Sequence, residues 1–180
     1  MPFHESKEYW YVLFVYDGKE EKVVDSLNSR FKNGEVSPFV PRKDKWFIGR
    51  GKKIKERELL FPGYVFIESA LADLEFASLT KDFIGTSHDI IRLLRYSDNE
   101  ISVRHHERKT WLYLLGKEKC IETSVGFIEN DRVCIECGPL MGHEGIIKKI
   151  NRHKREAIIE IEFMGQLIKM SIAIQIIKKI

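Results

Sequence analysis

Basic side chains crowd one short stretch near the carboxyl end: Lys148, Lys149, Arg152, His153, Lys154 and Arg155. Asn151 to Arg155 read as a turn between two Ile-rich runs, so three full positive charges and an imidazole share one hairpin tip. Such charges repel one another in the free protein, and a polyanion relieves the repulsion through phosphate contacts and counterion release. Arginine can also stack on bases or bond bidentately to a guanine edge, which lysine cannot. A solvated turn is the plain alternative. A second cluster runs from Arg42 to Arg57, with eight Lys or Arg against Asp44 and Glu56, and with Gly49 and Gly51 at the expected turn. It reads as a solvated hairpin tip, or else as a surface for phosphate or an acidic partner.

Two other patterns invite chemistry and carry little. Cys134-Ile135-Glu136-Cys137 has the spacing of a redox or metal motif, but on a strand residues three apart face opposite sides. No second pair exists, and no helix follows as a thioredoxin-like motif needs. Arg104-His105-His106-Glu107-Arg108-Lys109 offers adjacent histidines, which on a helix diverge by about 100° and cannot share an ion. A solvated helix face is the expected role. Neither a phosphate-binding glycine loop nor a nucleophile–base pair is present, so neither enzymatic activity nor a cofactor or metal is expected.

The elements that must position these residues follow from hydrophobic patterning. The chain has 180 residues, 43% hydrophobic and 32% charged, enough for one ordinary domain or two small ones. The net charge of +3 decides little, whereas its placement matters. Three cysteines make no disulfide framework, and no apolar run approaches the roughly 20 residues of a membrane span. Met1 to Glu8 does not resemble a signal peptide, so a soluble monomer in the cytoplasm is expected.

Leu59 to Glu68 is the expected central strand, with Pro62 at its irregular entrance and Gly63 leaving room for close approach. Trp10 to Tyr16 is a second strand, apolar enough for burial on both faces. Asp17 and Glu20 have capping-box spacing ahead of a helix over residues 18–31, with Val23, Val24, Leu27 and Phe31 inward. Leu71, Leu74, Ala77 and Ser78 predict the inner face of a second helix. Ile90 to Leu94 predicts a strand, and Ser102 the cap of a third helix carrying Val103, Thr110, Trp111, Leu114 and Leu115 and ended by Gly116. The order implies an α+β sandwich: an antiparallel sheet covered by helices, over residues 1–116. Residues 117–124 read as a linker. From 125 to 180, strands are expected at Arg132–Glu136, Gly145–Ile150, Glu156–Phe163, Leu167–Ile172 and Ala173–Lys178, closing a small all-β barrel. Along Gly145–Ile150, Ile146, Lys148 and Ile150 should face one way, and Ile147 and Lys149 the other.

Trp10-Tyr11-Val12, Phe61-Pro62-Gly63-Tyr64-Val65 and the loop Gly138-Pro139-Leu140-Met141-Gly142-His143-Glu144-Gly145 together resemble the NusG family of transcription factors over nearly the whole chain. The resemblance implies a NusG-type amino-terminal domain and a carboxyl-terminal SH3-like KOW barrel. It further implies binding of the first domain to the clamp helices of RNA polymerase, through Tyr16, Phe61 and Tyr64. Each of the three could instead be a core aromatic. The loop followed by Ile-Asn-Arg-His-Lys-Arg is most similar to the LoaP group of NusG paralogues, antiterminators that recognise an RNA hairpin in a leader transcript. That gives the basic tip a ligand. The resemblance also raises non-template DNA as a partner, near Thr86 or the His105–His106 face, and the ribosome through the KOW domain. A general NusG elongation factor without sequence-specific RNA binding and a ribosome-associated KOW protein stay open as the alternatives.

Overall fold

The computed structural model describes residues 9–49 and 51–179. These divide into two compact units: residues up to Pro41 with Phe61–Arg108, and Arg42–Leu60 with Lys109 onward.

In the first unit the apolar run forms β1 (Tyr9–Val15), and Trp10, Tyr11, Val12 and Leu13 are wholly buried, as an unbroken apolar strand requires. β5 (Tyr64–Ser69) pairs with it antiparallel, Val12 opposite Phe66. β2 (Ser37–Phe39) lies beyond β5, and β6 (Ile90–Leu93) flanks β1 on the other side. The order is β2-β5-β1-β6, with every pairing antiparallel.

Two helices pack in this unit. α1 (Glu20–Arg30) buries Val23 and Leu27. The expected capping box is absent: Lys19 is the N-cap, and the Glu20 carboxylate instead accepts the Gly63 amide at 2.7 Å. A non-local donor has outcompeted the local one. α2 (Asp73–Thr86) buries Phe76 and Thr80, whereas Leu74, expected inward, is 83% exposed. The ring row decides the face. Phe76 stacks on Tyr11 at 3.6 Å, and Phe83 meets the Phe31 edge at 5.7 Å. Ser102 does not cap the third helix, α3 (His105–Leu115). Asp73 accepts the amides of Ile101 (2.9 Å) and Ser102 (3.4 Å), which ties that segment to α2 and delays the helix. The division between the units falls inside α3.

In the second unit, β3 (Arg42–Gly49) and β4 (Lys52–Leu59) form the expected charged hairpin, paired along their full length. Within the stretch read as a linker, Cys120 and Ile121 form a short strand, β7, parallel to Arg42–Lys43; both are buried. The remaining strands are β8 (Ser124–Glu129), β9 (Arg132–Cys137), β10 (Ile147–Asn151), β11 (Glu156–Phe163) and β12 (Gln166–Lys179), in the order β10-β11-β12-β8-β9. β12 is one strand of 14 residues where two were expected. Its first half pairs antiparallel with β11 and its second half parallel with β8. β8 was not expected as a strand, because its Gly126 weakens the pattern. A Cβ there would lie 2.3 Å from the Cys134 carbonyl oxygen, so glycine allows the two backbones to close. The simple alternation expected along Gly145–Ile150 is also broken. Glu144–Ile146 is a 3-10 turn, and a bulge falls between Ile147 and Lys149. Trp111 of α3 is wholly buried in this unit, its indole N–H donating to the Glu162 carbonyl at 3.0 Å.

The result is a mixed α/β protein with three α-helices among the described residues. None of its helices is long and apolar enough to cross a membrane.

Candidate functional site

The basic tip is the turn between β10 and β11. Asn151 shapes it by accepting the Lys154 amide on its side-chain oxygen at 3.0 Å. Arg155 closes it with a left-handed backbone, φ +55°, and its carbonyl accepts the Ile174 amide at 2.9 Å. Ala157 and Ile159, both wholly buried, fix the strand behind it. Arg152, His153 and Lys154 are exposed and carry no ion pair among the described residues. Lys148 is less available, because its ammonium lies 3.5 Å from Glu160, which Lys169 also approaches at 3.6 Å. Lys149 is exposed.

Arg155 is half-buried, its guanidinium 5.1 Å from the centre of the Trp46 ring. That contact joins the tip to the charged hairpin, so two basic clusters read separately from sequence belong to one surface. The hairpin is anchored beside the tip. Trp46 donates its indole N–H to Thr123 Oγ1 at 2.9 Å, and the buried Asp44 accepts the Thr123 amide at 2.8 Å and its hydroxyl at 3.0 Å. Lys43 donates to the Ser171 carbonyl at 2.7 Å. A cleft of about 900 Å³ opens between them, lined among others by Trp46, Phe47, Lys53, Arg152, Lys154 and Arg155. The hairpin's part in it was missed from sequence. The available signal was the aromatic pair Trp46-Phe47 set among cations.

The aromatic candidates lie in the first unit. Tyr16 is 56% exposed, Tyr64 is half-buried, and Phe61 is only 8% exposed. Phe61 stacks on Phe66 at 5.6 Å and meets the Tyr64 ring at 6.3 Å, while Tyr64 packs on Phe14 at 5.2 Å. The turn before β5 is held at Gly63, whose φ of +82° suits glycine, whose amide goes to Glu20, and whose carbonyl accepts the Val15 amide at 2.8 Å.

Cys120, Cys134 and Cys137 are all free thiols. Burial pushes the Cys120 thiol up, with Asp44 adding to the rise and Arg57 opposing it. His105 and His106 are exposed on α3, whereas Glu107 is buried and accepts the Tyr96 hydroxyl at 2.7 Å. Thr86 ends α2 with its hydroxyl on the Asp82 carbonyl at 2.7 Å. Gly138 opens the β9–β10 loop at φ +100°, where a Cβ would lie 2.6 Å from Ser124 Cα, and Ser124 Oγ accepts the Leu140 amide.

Residues 8–112 match the protein family described as transcription termination factor nusG, more than half of the chain. The chain belongs to the NusG family. Similar proteins named transcription termination/antitermination protein NusG match well beyond that region. The one from Borreliella burgdorferi is 26% identical over 95% of this chain and 98% of its own. That from Thermus thermophilus is 25% identical over 87% and 90%, and that from Bacillus subtilis 23% identical over the same shares. NusG-family proteins are transcription factors.

Proposed function

We propose that this protein is a cytoplasmic antitermination factor that binds RNA polymerase with its amino-terminal domain and a structured leader RNA with its carboxyl-terminal domain. The first domain is residues 1–116 and residues 125–180 form an SH3-like KOW barrel of the LoaP type; residues 117–124 link them in sequence, with β7 and the start of β8 built into the segment. The observation that carries the RNA reading is the exposed trio Arg152, His153 and Lys154, which make no ion pair among the described residues, at a tip whose backbone is fixed from both sides. Lys149 extends that surface; Lys148, shared with Glu160, and Arg155, held by Trp46, border it. On the polymerase side Tyr16 is the exposed anchor for an apolar helical surface, and the half-buried Tyr64, its ring against the buried Phe61, adds to it.

The test uses the full-length protein, cellular leader RNAs and RNA polymerase, at low and at physiological salt. One structured RNA should be retained at physiological salt. Arg152→Ala with Lys154→Ala should abolish its binding and leave polymerase binding unchanged. Weak binding to every RNA that vanishes with salt would sink this reading. The general elongation factor is then preferred, a reading favoured by the NusG-named relatives that match nearly the whole chain. It predicts association with polymerase on all operons rather than a few. Co-sedimentation with ribosomes instead of polymerase would point to a ribosome-associated role.

A further inference from the structure

We propose that the cleft between the charged hairpin and the basic tip takes an unpaired nucleobase, stacked on Phe47, from the RNA whose phosphates the tip binds. The proposal rests on the reading of the tip as an RNA-binding element. Phe47 is the first observation. It is 39% exposed on an otherwise charged hairpin, opposite Ile54 at 43%, which a merely solvated hairpin does not require. The neighbouring Trp46 is spoken for, its ring faced by Arg155 and its indole N–H given to Thr123, so the wall stands ready while the Phe47 ring faces the cleft.

The second observation is volume. Phosphate contacts along a regular stem need only a convex basic surface, whereas this site is a cleft of about 900 Å³. Regular A-form RNA hides its base edges in a deep major groove, so side chains read bases chiefly at loops and bulges. A ring at the wall and cations at the rim suit a base that has left the stack, with Lys53 and Arg152 placed for its flanking phosphates. Gln175, half-buried in the lining, offers both a donor and an acceptor to a base edge, and Glu156 an acceptor. Lys45 lies 5.3 Å from the Phe47 ring centre, its ammonium held by Glu58 at 2.9 Å.

The test measures affinity of the full-length protein for synthetic RNA stem–loops. Four carry a single bulged base of each kind, one carries an abasic bulge, and one is fully paired. At least one bulged stem should bind about tenfold or more tighter than the paired stem. The abasic bulge and Phe47→Ala should each remove that preference, and Phe47→Tyr, which keeps the ring, should retain it. Phe47→Ala should still bind the paired stem as the unaltered protein does. A preference that survives Phe47→Ala overturns the base pocket. So does equal affinity for all stems, lost in Arg152→Ala with Lys154→Ala, which would leave the tip as a phosphate contact. Binding unaffected by the Arg152 and Lys154 changes, or no binding at all, overturns the reading of the tip as well.

Discussion

Glu20 is 3% exposed and its carboxylate holds the Gly63 amide at 2.7 Å, so one side chain of α1 sets the turn that starts β5. Glu20→Ala leaves that amide without its acceptor and should cost about 1–3 kcal/mol in urea unfolding. Gly138 and Gly142 bracket one loop but do different work. Gly138→Ala must displace the Ser124 backbone as well as hold φ near +100°, and should cost roughly 2–4 kcal/mol. Gly142→Ala, with open space around it and φ +78°, should cost only about 1 kcal/mol. The same unfolding series compares them directly. Iodoacetamide at neutral pH should label the exposed Cys137 well before Cys120, whose buried thiol is held above its usual range. Equal labelling rates would mean that the β7 segment opens readily.

The charged hairpin is the element whose behaviour departs most from its composition. Its Asp44 is buried, accepts two bonds from Thr123 and lies 3.5 Å from Lys55. Asp44→Ala strips the acceptor from the Thr123 amide and hydroxyl and a partner from nearby cations, so it should destabilise by about 2–4 kcal/mol. Amide exchange should quicken at 42–49 and at Thr123. Across the hairpin, burial pushes the Glu58 carboxyl up, but Lys45 at 2.9 Å and Lys43 at 3.4 Å override it and leave it below the usual glutamate range. Because the folded value is the lower one, this contribution is complete above the ordinary glutamate range and fades as pH falls through the lowered value. Glu58→Gln should therefore cost under about 1 kcal/mol at neutral pH, and nothing in acid.

Elements were legible where the pattern is local. The Trp10–Tyr16 run became β1, because burial on both faces leaves a continuous apolar signature; of the Leu59–Glu68 run only Tyr64 onward became β5, since Leu59 ends β4 and residues 60–63 turn the chain at Gly63. The face of α2 was misread because the winning contact, Phe76 on Tyr11, joins residues far apart in sequence. β8 escaped notice because its key residue is a glycine, chosen for what must approach it. At the site, the exposed tip was plain from charge and turn residues, while its meeting with Trp46 depends on partners a hundred residues distant.

On the scale of the whole molecule, the formal charge of +3 is too small to gather a polyanion, so binding should depend on where cations are concentrated. The salt dependence of RNA affinity measures this. Arg152→Ala should lower the slope of log K against log salt by about 1, and Lys148→Ala, whose cation already faces Glu160, by less. Equal slopes for both would place the two cations on the same footing. The grouping of Arg42–Leu60 with Lys109 onward, and not with the residues on either side of the hairpin, has a consequence for synthesis. Asp44 precedes its partner Thr123 by 79 residues. On a ribosome adding about 5–20 residues per second, the hairpin therefore waits roughly 4–16 s between its own emergence and that of Thr123. Its density of lysine and arginine then serves a second purpose, keeping two unpartnered strand edges soluble and unattractive to neighbouring nascent chains until the rest arrives.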